Sequence, residues 1–350
     1  MTPPYLAAPD DRILVTGASG FVGPKVVEAL LACGFGNLRC FVRPSSALGR
    51  LNEAFKKGRG DQRPELIAGD LTSREDCLRA TDGVSIIFHL AAGFDKSFAG
   101  AFVNSALTTR NLMDAFLERG HVKRFVNVSS FAVYSNVTLK RGALLDEACP
   151  LEDAPQERYD AYGFGKLKQE ELVREYGSKN RLPFVILRPG TVFGPGQKSL
   201  SGRIGIDTFG RFIQIAGANC VPLTFVDNCA DAIVLAGLVP GVDGETFNVV
   251  DDNLPTGRQF LKAYKKRAGS PRSVAIPYLL AAGFCRFWEA YSRRSNGQVP
   301  PVFNRRRCAA EWKSKRFSNQ KLKQRLGWRP KVEMDEAMAR FLAQFDTQES

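Results

Sequence analysis

Histidine is nearly absent from this chain of 350 residues, which holds two. The eight cysteines, at 33, 40, 77, 149, 220, 229, 285 and 308, form no C-x-x-C pair and have no histidine beside them. Structural zinc sites repeat Cys and His ligands at short spacing, so no metal is expected and the thiols read as reduced, as in the cytoplasm. Residues 1–10 carry prolines and acids but no basic stretch running into an apolar one, so no secretory signal is expected. No apolar run reaches the roughly 20 residues that a membrane-spanning helix needs.

Acidic residues are scarce in one region. Between Arg293 and Arg329 twelve Lys and Arg stand against Glu311 alone, a local +11 in a chain of net charge +13. The remainder is nearly balanced, so the charge describes one surface, suited to anionic lipid, an anionic substrate or an acidic partner. No nucleic-acid recognition motif accompanies it, and a nucleic-acid partner is not expected.

What is present is an alternation of short apolar strands with helices. Strands are expected at 12–16, 38–42, 65–68, 84–90, 124–128, 184–187 and 246–250, and helices from the glycine turn to about 33, over about 101–118 and over about 159–176. Residues 43–63 read as a polar, basic excursion. Strand followed closely by helix requires right-handed crossovers, which gives an α/β fold with a mostly parallel sheet of Rossmann type. Such a sheet carries its working residues at the carboxyl ends of its strands.

The expected organisation is a tail over 1–10, a dinucleotide-binding domain with the catalytic helix over 11–190, and a smaller discontinuous C-terminal substrate-binding lobe. That lobe begins at 191–245, is interrupted by a return strand at 246–250, and resumes over 251–345 with the basic segment 293–329. Residues 194–217 read as loop and helix outside the sheet. In 276–294, Leu279, Leu280, Phe284, Phe287, Trp288 and Tyr291 are interleaved with Arg286, Arg293 and Arg294. The segment suits a peripheral helix on an anionic membrane or, by preference, a lid over an apolar pocket.

Gly17-x-x-Gly20-x-x-Gly23 lies between a strand and a helix. The first glycine permits a tight turn, the second lets backbone amides approach a pyrophosphate, and the third lets the helix pack on the sheet. Ser19, Phe21 and Val22 belong to the same turn. At the end of the second strand, where an NAD site offers a carboxylate, stand Arg43-Pro44-Ser45-Ser46. Arg43 and Ser45 can meet a 2′-phosphate, so NADP is preferred and NAD stays open. Asp70, followed by Leu71, either accepts from an adenine amino group or caps its own loop.

Tyr162 and Lys166, four residues apart, share a helix face, where an ammonium can lower the pKa of a phenol and serve a proton relay. Ser130, at the end of a parallel strand, can bond the same substrate oxygen. Asn104 either anchors a relay water or caps a helix. The chemistry of such a set is redox or epimerase chemistry at a secondary alcohol or ketone.

These segments resemble the extended short-chain dehydrogenase/reductase family, the NAD-dependent epimerase/dehydratase superfamily. The matching stretches are TGASGFVG at 16–23, GDL at 69–71, FHLAA at 88–92, VNVSSFAVY at 126–134, YGFGK at 162–166, RPGTVFGPG at 188–196, FVDNCADAIVLA at 225–236 and KLKQRLGWRP at 321–330. The resemblance implies that Ser130, Tyr162 and Lys166 are catalytic, that Ala91, Ala92, Pro189 and Val192 line the cofactor, and that Ser129 lies with them. Nucleotide-sugar members place an arginine where this chain has 220–224, which lacks a cation. That departure, Asn228 and the Phe131 after Ser130 are similar to the 3β-hydroxysteroid/sterol dehydrogenase and ketoreductase branch.

The expected function is NADP-dependent interconversion of a secondary alcohol and a ketone on a bulky, lipophilic substrate, sterol-like or polyketide-like. Phe94, Phe98 and the 276–291 segment are candidates for covering it, although core packing is their default role. A nucleotide-sugar 4-epimerase or 4-ketoreductase is the alternative, with Arg203, Arg211 or the 305–307 triplet holding a diphosphate. A non-catalytic dinucleotide-binding regulator is the other. The family resemblance also leaves room for a homodimer.

Overall fold

The computed structural model of the chain describes residues 5–58, 64–93, 95–197, 200–208, 211–268 and 272–346. Strand and helix alternate through β1 (Arg12–Thr16), α1 (Gly23–Ala32), β2 (Leu38–Val42), α2 (Gly49–Lys56), β3 (Glu65–Ala68), α3 (Arg74–Thr81) and β4 (Val84–His89). α4 (Phe98–Ala101) continues through a π-helical stretch, Phe102–Leu107, into α5 (Thr108–Arg119). β5 (Arg124–Val128), β6 (Ala143–Leu145), α6 (Ala161–Lys179) and β7 (Phe184–Pro189) follow. Next come β8 (Thr191–Phe193), β9 (Gly205–Thr208), β10 (Arg211–Ile215), β11 (Leu223–Phe225), α7 (Val226–Leu238) and β12 (Thr246–Val249). The chain then forms α8 (Gly257–Ala268), β13 (Ser273–Ile276), α9 (Tyr278–Arg294), α10 (Arg305–Trp312), β14 (Lys315–Phe317), α11 (Gln320–Leu326) and α12 (Met334–Ala343).

Seven strands make one sheet in the order β12-β7-β5-β4-β1-β2-β3, every neighbouring pair parallel. Runs such as Ile13-Leu14-Val15 and Ile86-Ile87-Phe88 are buried on both faces, as a sheet covered on both sides requires. On one side α1 and α7 pack Val26, Leu30 and Ile233 against Val15, Phe88 and Val126. On the other, α3, α5 and α6 pack Cys77, Phe116 and Val173 against Leu14, Ile87 and Phe125. Each large side chain buried this way contributes about 1.5–3 kcal/mol, so these two layers hold the sheet together. From β1 the chain proceeds outward to β2 and β3, and from β4 it proceeds the other way. The crevice where a doubly wound sheet binds its ligand therefore opens at the carboxyl ends of β1 and β4.

Several local expectations are corrected. α2 forms inside the supposed excursion at 43–63, seated by buried Leu51 and Ala54. The 101–118 helix is divided by the π-helical stretch. Residues 194–217 hold a β9-β10 hairpin in place of a helix, with β13 added parallel to β10. The run RFIQI in β10 is rich in β-branched and aromatic residues, which favour strand once one face is covered. The buried residues of α9 are Ala281, Cys285 and Ser292, whereas Leu279 and Phe287 are 69% and 68% exposed. This helix is no lid over an apolar pocket, because its large apolar side chains face solvent. Phe94 lies outside the described residues.

Candidate active site

The glycine turn is shaped by close backbone approach. Gly17 has φ +67°, and a Cβ there would stand 2.9 Å from the Ala91 nitrogen. A Cβ on Gly23 would strike the Gly17 and Ala18 carbonyls. The turn is thereby pressed against the end of β4 while α1 starts directly beneath it. Gly20 is exposed, and a Cβ there would meet the Gly17 oxygen alone, at 3.1 Å. Ser19, Phe21, Val22, Ala91, Ala92 and Val192 are half-buried around this crevice, with Pro189 buried at the end of β7.

The start of α6 is built by a buried arginine. Asp160 caps the helix by accepting from the Gly163 amide at 3.0 Å, and Arg158 donates to Asp160 Oδ2 at 2.7 Å and to the Ala132 carbonyl. A Cβ on Gly163 would overlap the Arg158 guanidinium, and one on Gly165 would stand 3.0 Å from the Ala101 oxygen. The two glycines between Tyr162 and Lys166 therefore serve packing, which brings the helix against both the loop after β5 and α4.

Ser130 and Tyr162 are joined by a side-chain hydrogen bond. Ser130 Oγ also accepts from the Ala132 amide at 3.2 Å, so the same hydroxyl caps the short turn after β5 and faces the phenol. Burial pushes the Tyr162 phenol up to about 12, opposed by Ser130 and reinforced by Asp160. Lys166 donates to the Val128 carbonyl at 2.6 Å and to Gln169 Oε1 at 2.9 Å, and burial pulls its amine down to about 7 against the pull of Glu170. Burial, Ser130 and Asp160 set the phenol here, and Lys166 is not among the groups that shift it, so the lowering expected from the helix-face pair is not seen in this arrangement.

Other expected residues divide between the crevice and ordinary roles. Arg43 and Ser45 are exposed after β2, and the Arg43 guanidinium has no hydrogen bond or ion pair among the described residues. Asp70 accepts from the Thr72 amide at 2.8 Å, which makes it a loop cap, while Leu71 is buried. Asn104 is exposed within the π-helical stretch and donates to Asp95 Oδ2 at 2.8 Å. Phe98 packs edge-on against Phe164 and Tyr159. Asn228 bonds the Val332 carbonyl, the amides of Lys331 and Val332, and Asp251, so it clamps the segment after Trp328 to α7.

Sequence reasoning missed Gln169, Thr109 and His89, which form a buried polar row behind Lys166. The signal for Gln169 was its place one turn beyond Lys166. Arg50 was also missed: its guanidinium stands 5.9 Å from the centre of the Phe21 ring, beside the glycine turn.

Residues 13–249 match the family described as the NAD dependent epimerase/dehydratase family. The chain belongs to that family. It is thus an NAD(P)-dependent enzyme of the extended short-chain dehydrogenase/reductase type. It is 26% identical to a bovine (Bos taurus) sterol-4-alpha-carboxylate 3-dehydrogenase, decarboxylating, over 95% of this chain and 92% of that protein. It is 26% identical to the 2-alkyl-3-oxoalkanoate reductase of Stenotrophomonas maltophilia, over 95% and 98%. The crystal structure of the UDP-glucose 4-epimerase of Thermus thermophilus in complex with NAD superimposes with a TM-score of 0.68 at 22% identity, covering 96% of this chain and 99% of that one, a likeness of fold.

The residues present fit a dinucleotide. Gly17 lets the turn lie against the end of β4, Gly20 leaves the exposed side of the turn without a side chain, Arg43 offers an unengaged guanidinium, and the Ser129 hydroxyl is buried without a hydrogen-bond partner among the described residues. The backbone turn would hold the pyrophosphate, Arg43 the adenosine end, and Lys166 with Ser129 the nicotinamide end.

Proposed function

We propose that the protein is an NADP-dependent oxidoreductase that interconverts a secondary alcohol and a ketone on a bulky, lipophilic substrate. The observation that carries this reading is the hydrogen bond between Ser130, just beyond the carboxyl end of β5, and Tyr162 of α6, with Lys166 one helical turn away and bonded to the Val128 carbonyl. When bound, the nicotinamide supplies or accepts a hydride. In reduction, Tyr162 gives its phenolic proton to the substrate oxygen and Ser130 holds that oxygen in place. Lys166, while protonated, stabilises the phenolate that is left. In oxidation the same residues run in reverse. Residues after 190 supply the substrate lobe in this reading.

A lipophilic substrate is favoured over a nucleotide sugar by the state of the candidate cations. Arg305 is paired with Glu289 at 3.0 Å, Arg306 with Glu152 and Asp153 at 2.7 Å each, and Arg307 with Glu311 at 3.1 Å. Arg203 donates to the Ala310 carbonyl at 3.0 Å, and Arg211 is exposed on β10. The two relatives at 26% identity are named for a sterol carboxylate and for an alkyl-substituted oxoalkanoate, both with hydrocarbon parts. NADP is favoured over NAD by Arg43.

A lipophilic substrate also gives a role to α9, which we read as a peripheral docking face for an anionic membrane. Leu279, Leu280, Phe284, Phe287 and Tyr291 form an exposed apolar stripe, bordered by exposed Arg286 and Arg294. Aromatic and aliphatic side chains beside exposed arginines complement an acyl boundary beneath acidic headgroups. No helix among the described residues is long and apolar enough to cross a membrane.

The test is an assay of the purified protein with NADPH or NADH and a panel of long-chain 3-oxo compounds, sterol ketones and nucleotide sugars. Turnover of apolar ketones with NADPH supports the reading. Turnover confined to nucleotide sugars overturns it.

A further inference from the structure

A row of side chains runs from the glycine turn to the catalytic lysine. Thr16 Oγ1 lies 2.7 Å from His89 Nδ1, His89 Nε2 lies 2.8 Å from Thr109 Oγ1, and Gln169 Nε2 donates to the same Thr109 oxygen at 2.8 Å. Gln169 Oε1 then accepts from the Lys166 ammonium at 2.9 Å. Thr16, His89, Thr109, Lys166 and Gln169 are all buried.

The protons in this row have one consistent assignment. Thr109 also lies 2.6 Å from the Ser105 carbonyl, which can only accept, so the threonine's single proton goes there. The Thr109 oxygen must then accept from both Gln169 Nε2 and His89 Nε2. His89 therefore carries its proton on Nε2, and its bare Nδ1 accepts the proton of Thr16. With Gln169 donating to Thr109, its carbonyl end is turned to the lysine. The reversed amide would set two donors face to face at Lys166 and leave the Thr109 oxygen facing another acceptor, both in a buried site.

We infer that Gln169 is a positioning residue for Lys166, its amide orientation fixed through Thr109 by the Nε2-protonated tautomer of His89, which is itself anchored on Thr16 beside the glycine turn. The inference rests on the reading above in which Lys166 takes part in the reaction. Its physical sense is that a buried ammonium needs acceptors aimed at it, and this row supplies one besides the Val128 carbonyl. The ionisable groups that act on the amine or feel it are His89 of β4 and Glu170 of its own helix, and Tyr162 stands one turn before it on that helix. Glu170 is in turn held by Arg188 of β7. His89 stays uncharged because burial and the nearby lysine push its pKa down to about 3.

The chain's two histidines make the tautomer directly measurable. In protein labelled with 15N at histidine, with His121→Gln to assign the signals, His89 is expected to show a proton on Nε2 and no titration from about pH 5 to about pH 9. A proton on Nδ1, or titration in that range, overturns the assignment. In protein labelled at the lysine Nζ, with Lys166→Arg for assignment, Gln169→Leu is expected to lower the Lys166 midpoint and Gln169→Glu to raise it. Equal midpoints, or movement in one direction in both variants, overturn the positioning role, since general loosening of the helix would not separate the two.

These measurements use no substrate, so they stand apart from the fate of the proposed reaction. For the reaction itself, Gln169→Leu is expected to lower kcat about tenfold, the scale of one hydrogen bond to a charge, and to leave KM within about twofold. An unchanged kcat overturns the link to catalysis.

Discussion

Glu170 grips Arg188 with both carboxylate oxygens, Nε to Oε1 at 2.9 Å and Nη2 to Oε2 at 2.7 Å, and both side chains are buried. The pair ties α6, one turn beyond Lys166, to β7 of the central sheet. Arg188 also donates to the Tyr134 hydroxyl at 2.9 Å, and Tyr134 donates to Asn248 Oδ1 at 2.6 Å. The helix that carries Tyr162 and Lys166 is thereby fixed to two sheet strands through charged and polar groups.

Removing one partner leaves a buried charge uncompensated. Glu170→Ala is expected to cost about 3–5 kcal/mol in denaturant unfolding, and the double change Glu170→Leu with Arg188→Met is expected to recover most of it. A double variant as unstable as the single one would show that the pair's worth lies in its own attraction and not in mutual neutralisation.

Arg43→Ala is expected to weaken NADPH binding about tenfold or more, the scale of a charge-assisted hydrogen bond, while NADH binding stays within about twofold. Fluorescence titration of the two cofactors measures it. Equal losses for both would remove Arg43 from the 2′-phosphate.

Asp251 gives the fold a pH dependence of its own. Burial pushes its carboxyl up to about 7, against hydrogen bonds from the Phe225 amide at 2.8 Å and from Asn228 at 3.1 Å. Between the ordinary value near 4 and the folded value, the native protein retains a proton that the unfolded chain has released. Stability from this group is therefore full below about pH 4 and falls as pH rises to about 7, by at most roughly 4 kcal/mol. Asp251→Asn is expected to flatten that part of the stability curve, read from urea midpoints at several pH values. An unchanged slope would assign it to other groups.

The α9 stripe predicts co-sedimentation with vesicles containing phosphatidylserine or phosphatidylglycerol and weak retention on neutral phosphatidylcholine. Phe284→Ser with Phe287→Ser is expected to abolish it, and Arg286→Ala with Arg294→Ala to remove the preference for anionic over neutral vesicles. Absence of binding to anionic vesicles would contradict the docking role.

The central sheet was legible because its strands are nearly unbroken apolar runs, and each strand forms within two residues of its expected ends. The last of them, expected at 246–250, forms as β12 and pairs with β7 at the sheet's edge. The β9-β10 hairpin was obscured by its glycines and by Asp207, Arg211 and Gln214, which interrupt its apolar residues. Within the site, Gly17, Ser130, Tyr162 and Lys166 could be read from local spacing. The row through Gln169, Thr109 and His89 could not, since its links span 60 and 20 residues and their meeting is created by β4, α5 and α6 packing together. Nor did spacing show that burial would set the lysine and the phenol on opposite courses, because the charge effect expected of a helix-face pair assumed a solvated amine.

Tyr162→Phe tests the proposed chemistry most directly, assayed for NADPH-driven reduction of whichever ketone the wild-type protein turns over, alongside NADPH binding. A fall in kcat of about a hundred- to ten-thousand-fold is predicted, with cofactor affinity nearly unchanged, because only the phenolic hydroxyl that carries the transferred proton is lost. Turnover within a few-fold of wild type would contradict the role of Tyr162, since another group would then be moving the proton.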